Sequence, residues 1–273
     1  MSAAQVLDAR RHGEASHAPT PRRLVVTWQH PYERGIHPIG FLTFDGRRYE
    51  FRYTRNALNV DGFAPLIGFP DLGRAYASDT LFALFAQRAM DPRRPDFERY
   101  VTRLGLPADS TPWEQIARSG GRRAGDSLQL FPVPTIRSGH MTCAFLVHGI
   151  RHIGRNPLLL EDGPLAVTRD EVEQSLSALR PGDELGLLPE PGNPVNSRAL
   201  LVTADGTPVG YVPNLLVDDL VELQERTAVR ALAEIVNGPE APWHLRVLGR
   251  LEADKVGDFQ FFTAPSWEAL SAQ

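Results

Sequence analysis

Only one cysteine, Cys143, is present in the whole chain, which excludes an internal disulfide framework and a cysteine zinc site. It stands at the start of an apolar, strand-like run, Ala144 to Val147, where a thiol is expected to be buried and inert rather than nucleophilic. Lysine is almost missing too. Lys255 is the single lysine among 29 basic residues, a skew that reads as codon bias and carries no function. The sequence has no glycine-rich phosphate loop with a lysine, no His-Arg-Asp segment and no Asp-Phe-Gly, so kinase chemistry of its own is not expected. No apolar run approaches about 18 residues and no signal-peptide core is present, so the chain is expected to be soluble and cytoplasmic, with no membrane partner.

What the chain does have is enough apolar residue, 42% of 273, to bury ordinary cores. At roughly 100–200 residues per domain, two domains are expected. The net charge of −4 hides an asymmetry: residues 1 to 135 carry 18 basic and 14 acidic side chains, while 136 to 273 carry 11 basic and 19 acidic. The first half is thus at +4 and the second at −8. Nucleic-acid affinity comes mostly from neutralised phosphates, so the acidic half is not expected to hold duplex DNA strongly, whereas a local pocket remains able to capture an end.

Residues 1–22 read as a disordered leader, small, polar and basic without periodicity. Structure is expected from Leu24-Val25-Val26-Thr27-Trp28 and again from Ile39 to Phe44. Asp45-Gly46 then predicts a two-residue hairpin loop into Arg47–Thr54, where Tyr49, Phe51 and Tyr53 alternate with charged residues. Helices are expected over Thr80–Met90, capped by Ser78 or Asp79, from Pro95 onward, and from Thr111 to Gly120. The last carries a capping box with Pro112 at its first position. Pro132 to Gly139 has linker composition, which divides the chain into 23–133, a linker at 134–140, and 141–273.

In the second half the order is strand, helix, strand, polar loop, hairpin and apolar helix. Ala228–Val236 and Trp243–Leu251 read as the closing strands, and Phe259, Phe261, Phe262 and Trp267 read as a core cap or an exposed partner surface. His148 and His152 lie four apart but flank Gly149 beside a strand, so a metal site is not expected. Asp218, Asp219 and Glu222 fall opposite Leu216, Leu220 and Leu223 on a helix and read as a solvated face. No nucleophile, base and orienting group converge, so neither catalysis nor a cofactor is expected.

Gly149-Ile150-Arg151, Glu190-Pro191-Gly192-Asn193-Pro194, Ala199 and Val209-Gly210-Tyr211, in that order, resemble a HIRAN domain. The resemblance implies a small oligonucleotide-binding-type β-barrel with flanking helices that captures the free 3′-hydroxyl end of single-stranded DNA. It places Arg151, His152, Arg155, Asn193, Asn196, Arg198 and Tyr211 on one rim: arginines for a phosphate, asparagines for base edges or a terminal hydroxyl, and Tyr211 as a stacking face. The chain departs from the DNA-end-binding member at His152 and Ile153, where that member has aromatics, and at Val195 and Asn196, where it has Tyr-Asp. Each lost stacking surface is worth about 1–3 kcal/mol per base. The alternative is a rim that binds a polypeptide and no DNA.

Gly40-Phe41-Leu42, Tyr49 to Tyr53, Ala64-Pro65-Leu66-Ile67, Leu81 to Phe85 and Gly125 to Leu130 are similar to the N-terminal subdomain of HipA-type toxin kinases, over residues 24 to 133. Some systems encode that subdomain separately, as the antitoxin HipS. This resemblance implies a toxin-antitoxin role with a HipA-like kinase core as partner. The fold class expected is α+β, with a β-sheet lobe and short helices followed by the small barrel.

Overall fold

The computed structural model describes residues 22–122 and 127–271. The expected leader, Arg22 apart, lies outside the described residues, as do Gly125 and Asp126 of the HipA-like pattern. The α+β class holds, with sheet predominating.

The first half contains β1 (Arg23–Gln29), β2 (Ile36–Phe44), β3 (Tyr49–Tyr53), β4 (Tyr76–Ser78), α1 (Ala83–Ala86), α2 (Phe97–Arg103), α3 (Pro112–Ser119) and β5 (Leu128–Pro132). Its sheet is antiparallel in the order β4-β3-β2-β1-β5. Successive strand residues point to opposite faces, and here both faces are covered. Leu24, Val26, Leu42 and Leu130 join a core with Phe51, Phe85 and Trp113. Val25, Phe41 and Phe131, one residue out of phase, join the core of the second sheet. The unbroken apolar run Leu24-Val25-Val26 is therefore a doubly buried strand.

Two local expectations change. Phe44 pairs with Tyr49, so the hairpin loop has four residues, Asp45 to Arg48. Asp45 Oδ1 accepts the N–H groups of Arg47 at 2.8 Å and Arg48 at 2.7 Å, an Asx turn that offers the backbone a wider loop. The helix expected over Thr80–Met90 shrinks to α1. Ser78, expected as its cap, pairs with Tyr49 at the end of β4, and Phe69 draws Phe82 and Phe85 to ring distances of 5.1 and 5.7 Å. Aromatic packing here overrides helical spacing. By contrast α3 forms as read: Thr111 Oγ1 accepts the Glu114 N–H and Glu114 Oε2 accepts the Thr111 N–H, and the helix stops at Gly120 with φ 71°.

The second half contains β6 (Thr135–Arg137), β7 (His140–Leu146), β8 (Leu158–Leu160), β9 (Gly163–Leu165), α4 (Arg169–Ala178), β10 (Glu184–Pro189), β11 (Leu200–Ala204), β12 (Thr207–Tyr211), α5 (Asn214–Gln224), β13 (Val229–Val236) and β14 (Val247–Asp254). Seven strands follow the order β12-β11-β10-β13-β14-β7-β6, and β8-β9 form a separate hairpin. The stretch 134–140 expected as a linker holds β6, which pairs with β7 around the turn at Ser138-Gly139. The expected closed barrel is not formed. Beyond β7 the chain meets β12 through one bridge, His148 with Tyr211, and Gly149, at φ 69°, then turns it into a 3-10 turn at Ile150–His152. One bridge is too short to close a ladder.

The expected strand over Trp243–Leu251 begins as a 3-10 turn, Trp243–Leu245, and becomes β14 only at Val247. Between them Arg246 is buried, with its guanidinium on Glu173 at 3.0 Å. Phe259, Phe261 and Phe262 are buried and cap the second core. Asp219 leaves the solvated face expected for it: its Oδ2 accepts the Phe262 N–H at 2.9 Å, and burial holds its carboxyl above the usual range. Trp267 lies 4.5 Å from Phe262 and 5.6 Å from Phe41. The tail then returns to the first sheet, where the Leu270 N–H donates to the Tyr53 carbonyl at 2.9 Å. A buried ion pair, Arg118 of α3 with Glu234 of β13 at 2.6 Å, also joins the two halves.

Candidate nucleic-acid interface

The rim is organised by Glu190, which is 3% exposed. Its Oε2 accepts the Tyr211 hydroxyl at 2.9 Å and the Asn193 side-chain amide at 2.6 Å, while Oε1 accepts the Leu159 N–H at 2.9 Å. One carboxylate thus ties β8, the 190–198 loop and β12 together. Burial first, and the Glu190 carboxylate second, hold the Tyr211 phenol above its ordinary pKa, so it stays a donor. Two glycines permit the approach of the strands: a Cβ at Gly210 would lie 2.5 Å from Val147 Cγ1, and one at Gly149 would lie 3.0 Å from the Tyr211 ring. Val-Gly-aromatic in this sequence is therefore a packing requirement of β12 against the end of β7.

The asparagines work within their own loop. Asn193 Oδ1 accepts the N–H groups of Val195 and Asn196, and Asn196 Oδ1 accepts the Arg198 N–H at 2.9 Å. Arg198 itself pairs with Asp218 of α5 at 3.0 Å. Arg151 and Arg155 are exposed. The Arg151 Nε donates to His152 Nε2 at 3.0 Å, and burial followed by the charge of Arg151 keeps the His152 pKa low. The structure thus gathers Tyr211 and Asn193 on Glu190 and leaves Arg151 and Arg155 without a carboxylate among the described residues. Sequence reasoning quoted Glu190 as part of a pattern but missed its role. A lone acid in a Pro-Gly-Asn-Pro loop gives no sign of burial.

Beside this rim, between the two sheets, runs a cleft of about 720 Å³. Its walls include Arg34, Gln129, Phe131, His148, Arg151 and Trp243. Enclosure, with the positive charges of Arg122 and His244, pushes the His148 pKa down to about 4. The imidazole is neutral at pH 7. Cys143 is buried in the second core, its thiol pushed up to about 12 by burial and by Glu234.

No family model matches the chain, and no curated protein matches it. Among solved structures, a protein from Lactobacillus plantarum aligns at 18% identity and a TM-score of 0.30, over 42% of this chain and 97% of its own. The HIRAN domain of human HLTF aligns at 13% identity and a TM-score of 0.26, over 43% of this chain and 79% of its own. No helix among the described residues is long and apolar enough to cross a membrane.

Proposed function

We propose that this chain is a non-catalytic protein that binds the end of a single-stranded nucleic acid at the rim made by Ile150–Arg155, the 190–198 loop and β12. The observation that carries the reading is the pair Arg151 and Arg155, exposed and without a carboxylate partner among the described residues on an otherwise acidic half. Such arginines hold phosphate by paired donors. Exposed Val195 on the 190–198 loop, and Leu159, whose carbonyl accepts the Gly192 N–H, supply apolar surface around that loop. Asn193, Asn196 and Tyr211 shape the rim.

Two or three neutralised phosphates give a shallow salt dependence, with a slope of about −1.4 to −2.1 in a log–log plot for single strands. Fluorescence anisotropy with short single strands, duplexes, and strands blocked by a 3′-phosphate tests the reading. Single strands are expected to bind better than duplex, the 3′ block to weaken binding, and Arg151→Ala to cost about tenfold, near 1.4 kcal/mol. Arg230→Ala, an exposed side chain of β13, is the control. Equal affinity for free and blocked ends removes end recognition. No binding at low salt turns the reading to a polypeptide ligand.

A second reading concerns the first half. Tyr32, Ile36, Leu58 and Ile67 are exposed large apolar residues, and Tyr32 and Ile67 are each 89% exposed. The HipA-like resemblance of residues 24 to 133 makes the partner of this lobe a kinase core lacking its own N-terminal subdomain. The full chain is expected to copurify with such a core and to relieve its toxicity. Failure of both, for a core encoded beside this chain, rejects the antitoxin role.

A further inference from the structure

We propose that the cleft between the two sheets is a phosphate-anion site that seats a nucleotide, either free or at the 5′-phosphorylated end of a strand. Three arginines converge on it from both halves: Arg34 from the turn after β1, Arg122 from the segment after α3, and Arg151 from the turn after β7. No aspartate or glutamate is among the described lining residues. The fourth lining arginine, Arg118, is already committed to Glu234. Burial first, and then the neighbouring positive charges of Arg151 and Arg34, lower the Arg122 pKa. Three guanidinium groups lining one cleft without a carboxylate among the described residues are a site for an anion, and the planar fork of each matches phosphate oxygens.

The rest of the cleft favours more than inorganic phosphate. Gln129 is 5% exposed as a whole residue, and it lines the cleft, where its side-chain amide can meet a ligand. Its amide offers two N–H donors and one acceptor oxygen, which suits a base edge or a sugar hydroxyl. Phe131 and Trp243 supply apolar wall, and neutral His148 adds a further donor or acceptor. A volume of about 720 Å³ falls within the usual range for small-ligand pockets, roughly 300–1,000 Å³. The walls come from both halves, so neither half alone completes the site. Arg151 belongs to the rim as well, whereas Arg34, Arg122 and Gln129 belong to the cleft alone.

Titration calorimetry on the full chain tests this with three probes: 2′-deoxyadenosine 5′-monophosphate, a 5′-phosphorylated oligodeoxynucleotide and inorganic phosphate. Unphosphorylated deoxyadenosine is the blank. Saturable binding of the mononucleotide or the phosphorylated strand, tighter than inorganic phosphate, is expected. R34Q and R122Q should each weaken it about tenfold while leaving the melting temperature unchanged. Binding of both probes assigns the nucleotide itself as ligand, and binding of the strand alone assigns its terminal phosphate. Absence of saturable binding by either probe overturns the proposal, as does wild-type affinity in both R34Q and R122Q. Strand binding that survives those two variants but is lost in Arg155→Ala also overturns it, and leaves the rim reading standing.

Discussion

Glu234→Ala is expected to lower the stability of the protein by about 3–5 kcal/mol, the cost of breaking a buried ion pair on one side. Arg118 and Glu234 meet at 2.6 Å, with side chains only 9% and 2% exposed. Removing the carboxylate leaves a guanidinium buried between the sheets, and desolvated charge without a partner is far costlier than a lost surface contact. A typical native state has only about 5–15 kcal/mol to lose. Urea denaturation followed by tryptophan fluorescence measures the effect. Replacing both partners, as in Arg118→Met with Glu234→Leu, should recover most of the loss, because an apolar pair of similar volume carries no desolvation penalty. A Glu234→Ala midpoint shift worth less than about 1 kcal/mol would show that water reaches Arg118 and that the pair is not what locks the halves together.

Glu190→Ala comes second, at about 2–4 kcal/mol. Three donors lose their acceptor at once: the Tyr211 hydroxyl, the Asn193 amide and the Leu159 N–H. An unsatisfied buried group costs about 1–3 kcal/mol, and the half-buried Tyr211 and Asn193 recover part of this from water. Glu190→Gln keeps one acceptor oxygen and should fall between wild type and alanine. Thermal unfolding gives the ranking, and limited proteolysis shows where the loss falls, with new cleavage between Asn193 and Arg198. If alanine and glutamine prove equally stable, Glu190 does not organise the rim.

Local chemistry was legible in the sequence. The capping box at Thr111–Glu114 with its stop at Gly120, the alternating strand before Tyr53, and the apolar stripe of α5 each depend on residues within about one or two turns of one another. Such patterns fix backbone geometry wherever the segment lies. Cys143 was likewise readable as buried, since an apolar run has few other places to go.

Only the tertiary structure decided the rest, because it depended on partners distant in the chain. Thr80–Met90 has helical spacing, yet Phe69 claims Phe82 and Phe85 and leaves a single turn. Asp219 and Asp218 are neighbours in one helix, but Phe262, 43 residues on, takes only Asp219. Arg246 and Arg118 look like surface arginines until Glu173 and Glu234 arrive from other elements. The candidate site followed the same division. Arg151 was visible through its glycine turn, whereas Arg34, Arg122 and Gln129 had no local pattern. They meet Arg151 only because Val25, Phe41 and Phe131 bury the second face of the first sheet against the second core. Hydrophobic burial is non-directional and blind to sequence distance, so what it brings together cannot be read from spacing along the chain.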